Sequence, residues 1–195
     1  MSEMTRPNCA DKTDEKLALE TILSREAFGC LIERYQQKLA RYIWRLGGIS
    51  GQDGDDVLQN VFLKAYKNIN EFDVNLKFSS WLYRIAHNEA ISFLRAKKIN
   101  YNATQEDGSE LLEKIASDID LPKEADISLA QKRVAQVLNA MDSRYREVLM
   151  LKYLENKDYS EISDILKVPM GTVATMISRA KKQFKDRAQK MEIKF

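Results

Sequence analysis

At 195 residues, with 31 Lys+Arg against 29 Asp+Glu and a formal net charge of +2, the chain has room for one or two domains that each bury a core. Its 31% charged and 44% hydrophobic residues mark a globular protein, and no apolar run approaches the ~20 residues that a membrane span needs. The first residues lack the apolar stretch of a secretion signal, so a cytoplasmic protein with no membrane insertion is expected.

Few glycines and prolines and long segments of helical period predict an all-α protein. Residues 1–13 are polar and are expected to be a disordered tail. Cys9, in that tail, and Cys30, inside a helical pattern, make no disulfide framework, and with a single histidine they offer no convincing zinc site. A first helix is predicted from Asp14 to about Leu23. A second starts near Ser24 and carries Phe28, Leu31, Ile32, Tyr35, Leu39, Tyr42, Ile43 and Leu46 as one apolar stripe. Gly47, Gly48, Gly51 and Gly54 are expected to break the chain, after which Asp55 and Asp56 open a third helix with Val57, Leu58, Val61, Ala65 and Ile69 on its core face. A loop from Phe72 to Phe78 follows. Ser79 or Ser80 then caps a long helix from Trp81 to about Lys98.

Residues 99–127 read as a linker: polar, aperiodic, interrupted by Gly108 and Pro122, with short turns possible around Leu111, Leu112 and Ile115. From Asn100 to Ser128 there are 8 acidic residues against 2 basic ones, a net of −6 that leaves +8 for the rest of the chain. An acidic strip between two basic modules avoids an anionic partner that its neighbours seek. Ser128 and Gln131 form a capping box and begin a second domain, 128–190. Leu129, Val134, Val137, Leu138 and Met141 line its first helix. Asp142 or Ser143 caps a second one carrying Tyr145, Val148, Leu149 and Tyr153.

From Asp158 to Phe184 the pattern is that of a helix-turn-helix. Asp158 and Glu161 are spaced as a capping box, and Ile162, Ile165 and Leu166 give the short helix one apolar face. Val168-Pro169-Met170-Gly171 is expected to be the turn, and Thr172 the N-cap of the next helix. There Val173, Met176 or Ile177, Ala180 and Phe184 face inward and leave Thr175, Ser178, Arg179 and Lys182 outward. Small polar residues and cations on one face suit the major groove of duplex DNA. The same pattern fits a helical hairpin with a solvated basic face. From Lys167 to Phe195, however, 8 Lys/Arg stand against 2 Asp/Glu, and such a cluster neutralises phosphates.

No phosphate-binding Gly loop, nucleophile elbow or His-Glu metal pair is present in the sequence, so no catalytic residue, metal or cofactor is expected. The Asp55-Asp56 pair reads as a helix-dipole partner or an interface contact.

The segment from Asp55 to Lys98 resembles region 2 of bacterial RNA polymerase sigma factors of the extracytoplasmic-function (ECF) group. The residues that carry the likeness are Asp55-Asp56-Val57-x-Gln59-x-Val61-Phe62-Leu63-Lys64-Ala65-Tyr66 and Phe78-x-x-Trp81-Leu82-x-Arg84-Ile85-Ala86-x-Asn88. The second domain resembles region 4, with Arg146-Glu147-Val148-Leu149 ahead of Tyr159-Ser160-Glu161-Ile162 and Gly171-Thr172-Val173. The resemblance implies two small helical domains, 14–98 and 128–190, joined by a flexible acidic linker that threads the polymerase's RNA exit path.

It also implies roles. Asp55, Asp56, Gln59, Asn60 and Leu63 would bind core RNA polymerase. The loop and the Trp81 helix would read the proximal (−10) promoter element, with Phe72 stacking on a flipped base of the melted non-template strand. Asp73 and Asn75 would hydrogen-bond to it, and Lys77, Ser79, Arg84, His87, Asn88, Arg95 and Lys98 would hold backbone or base edges. Thr172, Thr175, Ser178, Arg179 and Lys182 would read the distal (−35) element. Family members usually carry cations where this chain has Ala174 and Met176, so readout there is expected to differ. An inhibitory anti-sigma partner is implied, and a monomer when free. Trp81 is expected in the core. The competing reading is an autonomous dimeric helix-turn-helix regulator, which gives no role to Asp56, Gln59 and Asn60. The 29 linker residues would reach roughly 100 Å when stretched, against about 70 Å for two turns of DNA.

Overall fold

The computed structural model describes residues 9–103 and 133–193. Of the predicted linker, residues 99–103 are helical instead; residues 104–127, the turns at Leu111, Leu112 and Ile115, and the Ser128–Gln131 capping box lie outside the described residues. Every regular element among the described residues is helical. The chain divides into two compact units, one of Met1–Lys97 with Ser160–Lys167, the other of Lys98–Tyr159 with Val168–Phe195.

In the first unit, α1 (Asp14–Thr21) is capped by Thr13, whose hydroxyl accepts from the Lys16 amide at 3.3 Å. It buries Leu17 and Ala18 against α2 (Arg25–Gly47). The stripe predicted on α2 is the one that is buried: Leu31, Leu39, Tyr42 and Ile43 are inaccessible to solvent. Gly48 ends α2 in the left-handed region (φ 69°), and its amide closes on the Trp44 carbonyl at 2.7 Å, as a C-terminal glycine does. At Gly47 a Cβ would lie 2.6 Å from a Leu94 methyl, so α2 and the helix that carries Leu94 approach closely there.

The glycines after α2 interrupt the chain less than expected. Helix α3 runs Gly51–Lys67, with Ser50 at the N-cap position, and already includes Gly51 and Gly54. A 3₁₀ turn, Ile69–Glu71, leads into the loop, and α4 spans Phe78–Ala103. Phe78, Leu82, Ala86 and Ala90 are fully buried, and Trp81 joins the core as expected. Three aromatic groups pack in this core, Phe28 with Phe62 and Tyr66, Tyr35 with Phe78, Phe72 and Trp81, and Tyr42 with Tyr83. Edge-to-face and tilted packing of such rings adds about 0.5–1.5 kcal/mol per pair beyond the area they bury.

The expected tail is organised from Cys9 onward. Cys9 and Cys30 form a disulfide, with Cα atoms 5.7 Å apart, where the sequence suggested no pairing. Arg34 donates to the Cys9 and Lys12 carbonyls and pairs with Asp14, and Lys12 pairs with Glu20 at 2.6 Å. Local sequence could not show this, because every contact joins residues at least eight apart.

In the second unit, α5 (133–139) is followed by α6 (Ser143–Leu149) and a wide turn, Met150–Leu154, closed by the Glu155 amide on the Met150 carbonyl at 3.0 Å. That i→i+5 turn inserts a residue into the helical register. Tyr153, expected on the apolar face, is therefore 53% exposed. Helix α7 (Tyr159–Leu166), which from Ser160 on groups with the first unit, ends at Lys167 (φ 54°), and α8, in the second unit, runs Met170–Lys190. Asp142, at the N-cap position of α6, exchanges two bonds with Gln183 of α8: its carboxylate accepts at 2.7 Å and its amide donates at 3.2 Å. Val137, Val148, Leu151, Val173, Ile177 and Ala180 form the core.

Candidate polymerase and nucleic-acid interfaces

On α3 the inward positions Val57, Val61 and Ala65 are buried, and Asp55, Asp56, Gln59, Asn60 and Leu63 are exposed. Asp56, Gln59, Asn60 and Leu63 follow i, i+3, i+4 and i+7, which puts them on one helical face. Because α3 begins at Gly51, Asp55 and Asp56 lie in its second turn, not at its start. The helix dipole acts within the first turn, where Asp53 stands, so the pair is not a first-turn dipole partner. Leu63 is 48% exposed among these polar groups, as at a protein interface. Beside them lies a concavity of about 630 Å³ lined by Phe28, Ile32, Phe62 and Tyr66 with Gln59 and Leu63. The α2 share of that surface had no signal in the sequence, since it needs the packing of α2 on α3.

The loop before α4 is held by Asp73, whose carboxylate accepts from the Asn75 amide and side chain, both at 2.9 Å, while its carbonyl accepts from the Leu76 amide at 3.0 Å. This Asx turn presents Asp73, Asn75 and Lys77 to solvent. Phe72 is not presented. It is 8% exposed, with its ring 5.4 Å from Phe78 and 5.5 Å from Trp81, so the stacking role expected of it does not fit. The apolar side chains on the loop surface are instead Val74 and Leu76, at 43% and 41% exposed. Their alternation with Asp73, Asn75 and Lys77 was the available signal. Along α4, Ser79, Arg84 and His87 are half-buried, and Asn88 and Arg95 are exposed. Arg84, Asn88 and Arg95 share one side at spacings of four and seven. The Lys98 side chain lies outside the described residues.

Helix α8 presents Thr172, Thr175, Ser178, Arg179 and Lys182, all exposed, opposite the buried Val173, Ile177 and Ala180. Two local expectations change. Met170 and Gly171 are already helical, and Pro169 holds the N-cap position, so Thr172 sits in the first turn instead of capping it. Its amide bonds the Pro169 carbonyl at 2.8 Å. The Thr175 hydroxyl donates to the Gly171 carbonyl at 3.0 Å, which commits its proton and leaves its lone pairs and methyl outward. Ala174 is exposed and adds no polar group, and Met176 is half-buried. Lys181 lies 5.6 Å over the Tyr153 ring, and the hydrogen bond its ammonium donates to that tyrosine's oxygen holds it above the ordinary lysine range. In the same unit Val134, Leu138, Leu149, Leu154 and Phe184, with Tyr153 and Lys181, line a mostly apolar hollow of about 290 Å³.

Fold and surfaces define a two-module helical protein whose second module carries a helix with an exposed polar and cationic face. Residues 31–99 match sigma-70 region 2, and residues 131–184 match sigma-70 region 4. The chain is 36% identical over 171 residues to the ECF RNA polymerase sigma factor SigW of Bacillus subtilis (strain 168), covering 83% of this chain and 91% of that one. It is 31% identical over 170 residues to the ECF RNA polymerase sigma-E factor of Haemophilus influenzae, covering 85% and 89%. Among solved structures it is similar to CnrH in complex with the cytosolic domain of CnrY, with a TM-score of 0.66 and 25% identity over 90% of this chain and 96% of that one. The sigma factor RpoE of Bartonella quintana, solved with the anti-sigma factor NepR, shares the fold at a TM-score of 0.64 and 18% identity, over 83% and 96%. The chain belongs to the ECF group of RNA polymerase sigma factors.

Proposed function

We propose that the chain is a promoter-specificity subunit that binds core RNA polymerase in the bacterial cytoplasm and directs it to promoters with two separated elements. The observation that carries this reading is the pairing, in one chain, of an outward polar face with a leucine on α3 and an outward cationic face on α8. An autonomous regulator uses the second face and leaves the first without a purpose. In this reading residues 14–98 hold the polymerase and the proximal element, residues 128–190 hold the distal element, and the acidic segment between them spans the gap.

Asp55, Asp56, Gln59, Asn60 and Leu63 meet the polymerase. Arg84, Arg95 and Lys98 hold phosphates, and Asn88 reads a base edge. Extruding a base costs a few kcal/mol, offset by capture of the freed non-template strand on the loop through Asp73, Asn75 and Lys77. With Phe72 in the core, Val74 and Leu76 supply the apolar surface against that base. On α8, Arg179 and Lys182 hold phosphates while Thr172, Thr175 and Ser178 meet base edges or backbone. With Ala174 giving no hydrogen bond, groove shape carries more of the distal readout. A protein inhibitor that covers these faces is proposed by analogy with CnrH, which is bound by the cytosolic domain of CnrY.

The test is in vitro transcription with core enzyme over a random promoter library. Specific starts that share two spaced motifs are expected, with weak binding of the isolated protein to promoter duplex. Tight binding of a palindrome by a dimer, with no association with core enzyme, would overturn the reading.

A further inference from the structure

We propose that Cys9 and Cys30 form a reversible thiol–disulfide switch that controls how firmly the promoter loop is held. The proposal rests on the preceding reading in one respect: a protein that works beside RNA polymerase meets a reducing interior. Disulfides there are as a rule transient and redox-sensing, not permanent staples.

The geometry favours formation of the bond. The two Cα atoms lie 5.7 Å apart, inside the range a disulfide bridges without moving the backbone. Cys30 is 3% exposed on the inner side of α2, and Cys9 is half-buried above it. One sulfur is thus reachable from solvent while the other waits behind it. Cys9 is the site at which an oxidant enters, and Cys30 is the resolving thiol. With hydrogen peroxide as oxidant, the Cys9 thiolate attacks one peroxide oxygen and becomes a sulfenic acid as the O–O bond breaks, and the departing hydroxide takes a proton from solvent to leave as water. The Cys30 thiol then attacks that sulfur, the S–S bond forms, and a second water leaves. A dithiol reductant reverses the step by exchange and becomes a disulfide itself.

The consequence follows from what the bond is tied to. One turn beyond Cys30, Arg34 donates to the carbonyls of Cys9 and of Lys12 (2.8 Å) and pairs with Asp14. The Asp14 carboxylate also accepts from the Tyr35 hydroxyl, which burial and then this bond keep protonated well above the ordinary tyrosine range. The next residue, Glu15, accepts from the amide of Phe78 at 3.1 Å. Phe78 is the first residue of α4 and the last of the promoter loop, and its ring meets Tyr35 at 6.0 Å. A continuous strap therefore runs from the disulfide through Arg34, Asp14 and Glu15 to the end of that loop. Oxidised, it is closed covalently. Reduced, it depends on half-exposed ion pairs, which hold a chain terminus weakly.

Purified full-length protein is treated with peroxide or dithiol before any polymerase is added, then freed of the reagent. Mass spectrometry is expected to show loss of two hydrogens on oxidation, with Cys9 and Cys30 in one cross-linked peptide. The oxidised form is expected to melt about 10 °C above the reduced one. Assembled with core enzyme, it is expected to transcribe a cognate promoter about threefold better than the reduced form, because more molecules hold the loop ready. The C9S/C30S variant is expected to melt and transcribe like the reduced wild type and to ignore both reagents. Cys9→Ala, which removes only the more exposed sulfur, separates loss of the switch from failure to fold.

Failure of the two cysteines to cross-link, or equal melting and transcription by the oxidised and reduced forms, would overturn the proposal. If neither form supports transcription while the cross-link and the melting shift are present, it is the promoter-specificity reading that fails.

Discussion

The two modules use their helices in opposite ways. In the second, one helix carries the whole candidate face: α8 turns Thr172, Thr175, Ser178, Arg179 and Lys182 outward, and its inner face holds it to the core through Val173, Ile177 and Ala180. In the first, the candidate sites are spread over a helix face on α3, a seven-residue loop and the flank of α4, and the core reaches into the loop by taking Phe72. A reader built on one helix depends on local periodicity. A reader assembled from several elements depends on their packing. Mutations in the loop of the first module should therefore tend to mix stability with function, while those on the outer face of α8 should leave stability alone.

The sharpest test of that contrast is Phe72→Ala. Loss of a buried ring should destabilise the protein by about 3–5 kcal/mol, read by denaturant unfolding. An unchanged unfolding midpoint with loss of promoter melting would restore Phe72 to the loop surface and erase the contrast.

Next in size is the pair Asp56→Ala with Gln59→Ala. Core-polymerase affinity should fall about tenfold or more, roughly 1.4 kcal/mol, with the melting temperature unmoved because both groups are exposed. Unchanged affinity in a competition assay removes these residues from the interface.

On α8, Arg179→Ala and Lys182→Ala should each weaken holoenzyme binding to promoters of any distal sequence and lower the salt dependence by about one phosphate contact. A change confined to one base position would instead assign that cation to base readout. The smallest effect is expected from Gln183→Ala, which removes the exchange with Asp142. It should cost about 1 kcal/mol of stability and leave promoter choice untouched, and a shift in the preferred distal sequence would show that α8 is positioned by that contact.

Periodicity and short-range chemistry determined a great deal from the sequence alone. The inner and outer faces of α2, α3 and α8 follow helical spacing, and burial agrees at Leu39, Val61 and Val173 on one side and at Asp56, Gln59 and Arg179 on the other. Trp81 in the core was legible for the same reason. What tertiary structure alone decided lies wherever the deciding partner is distant in sequence. Phe72 is drawn inward by Phe78 and Trp81, and Cys9 meets Cys30 across 21 residues. A helix face is written every three or four residues, but the fate of a loop aromatic or an N-terminal cysteine depends on which surface the folded chain brings beside it.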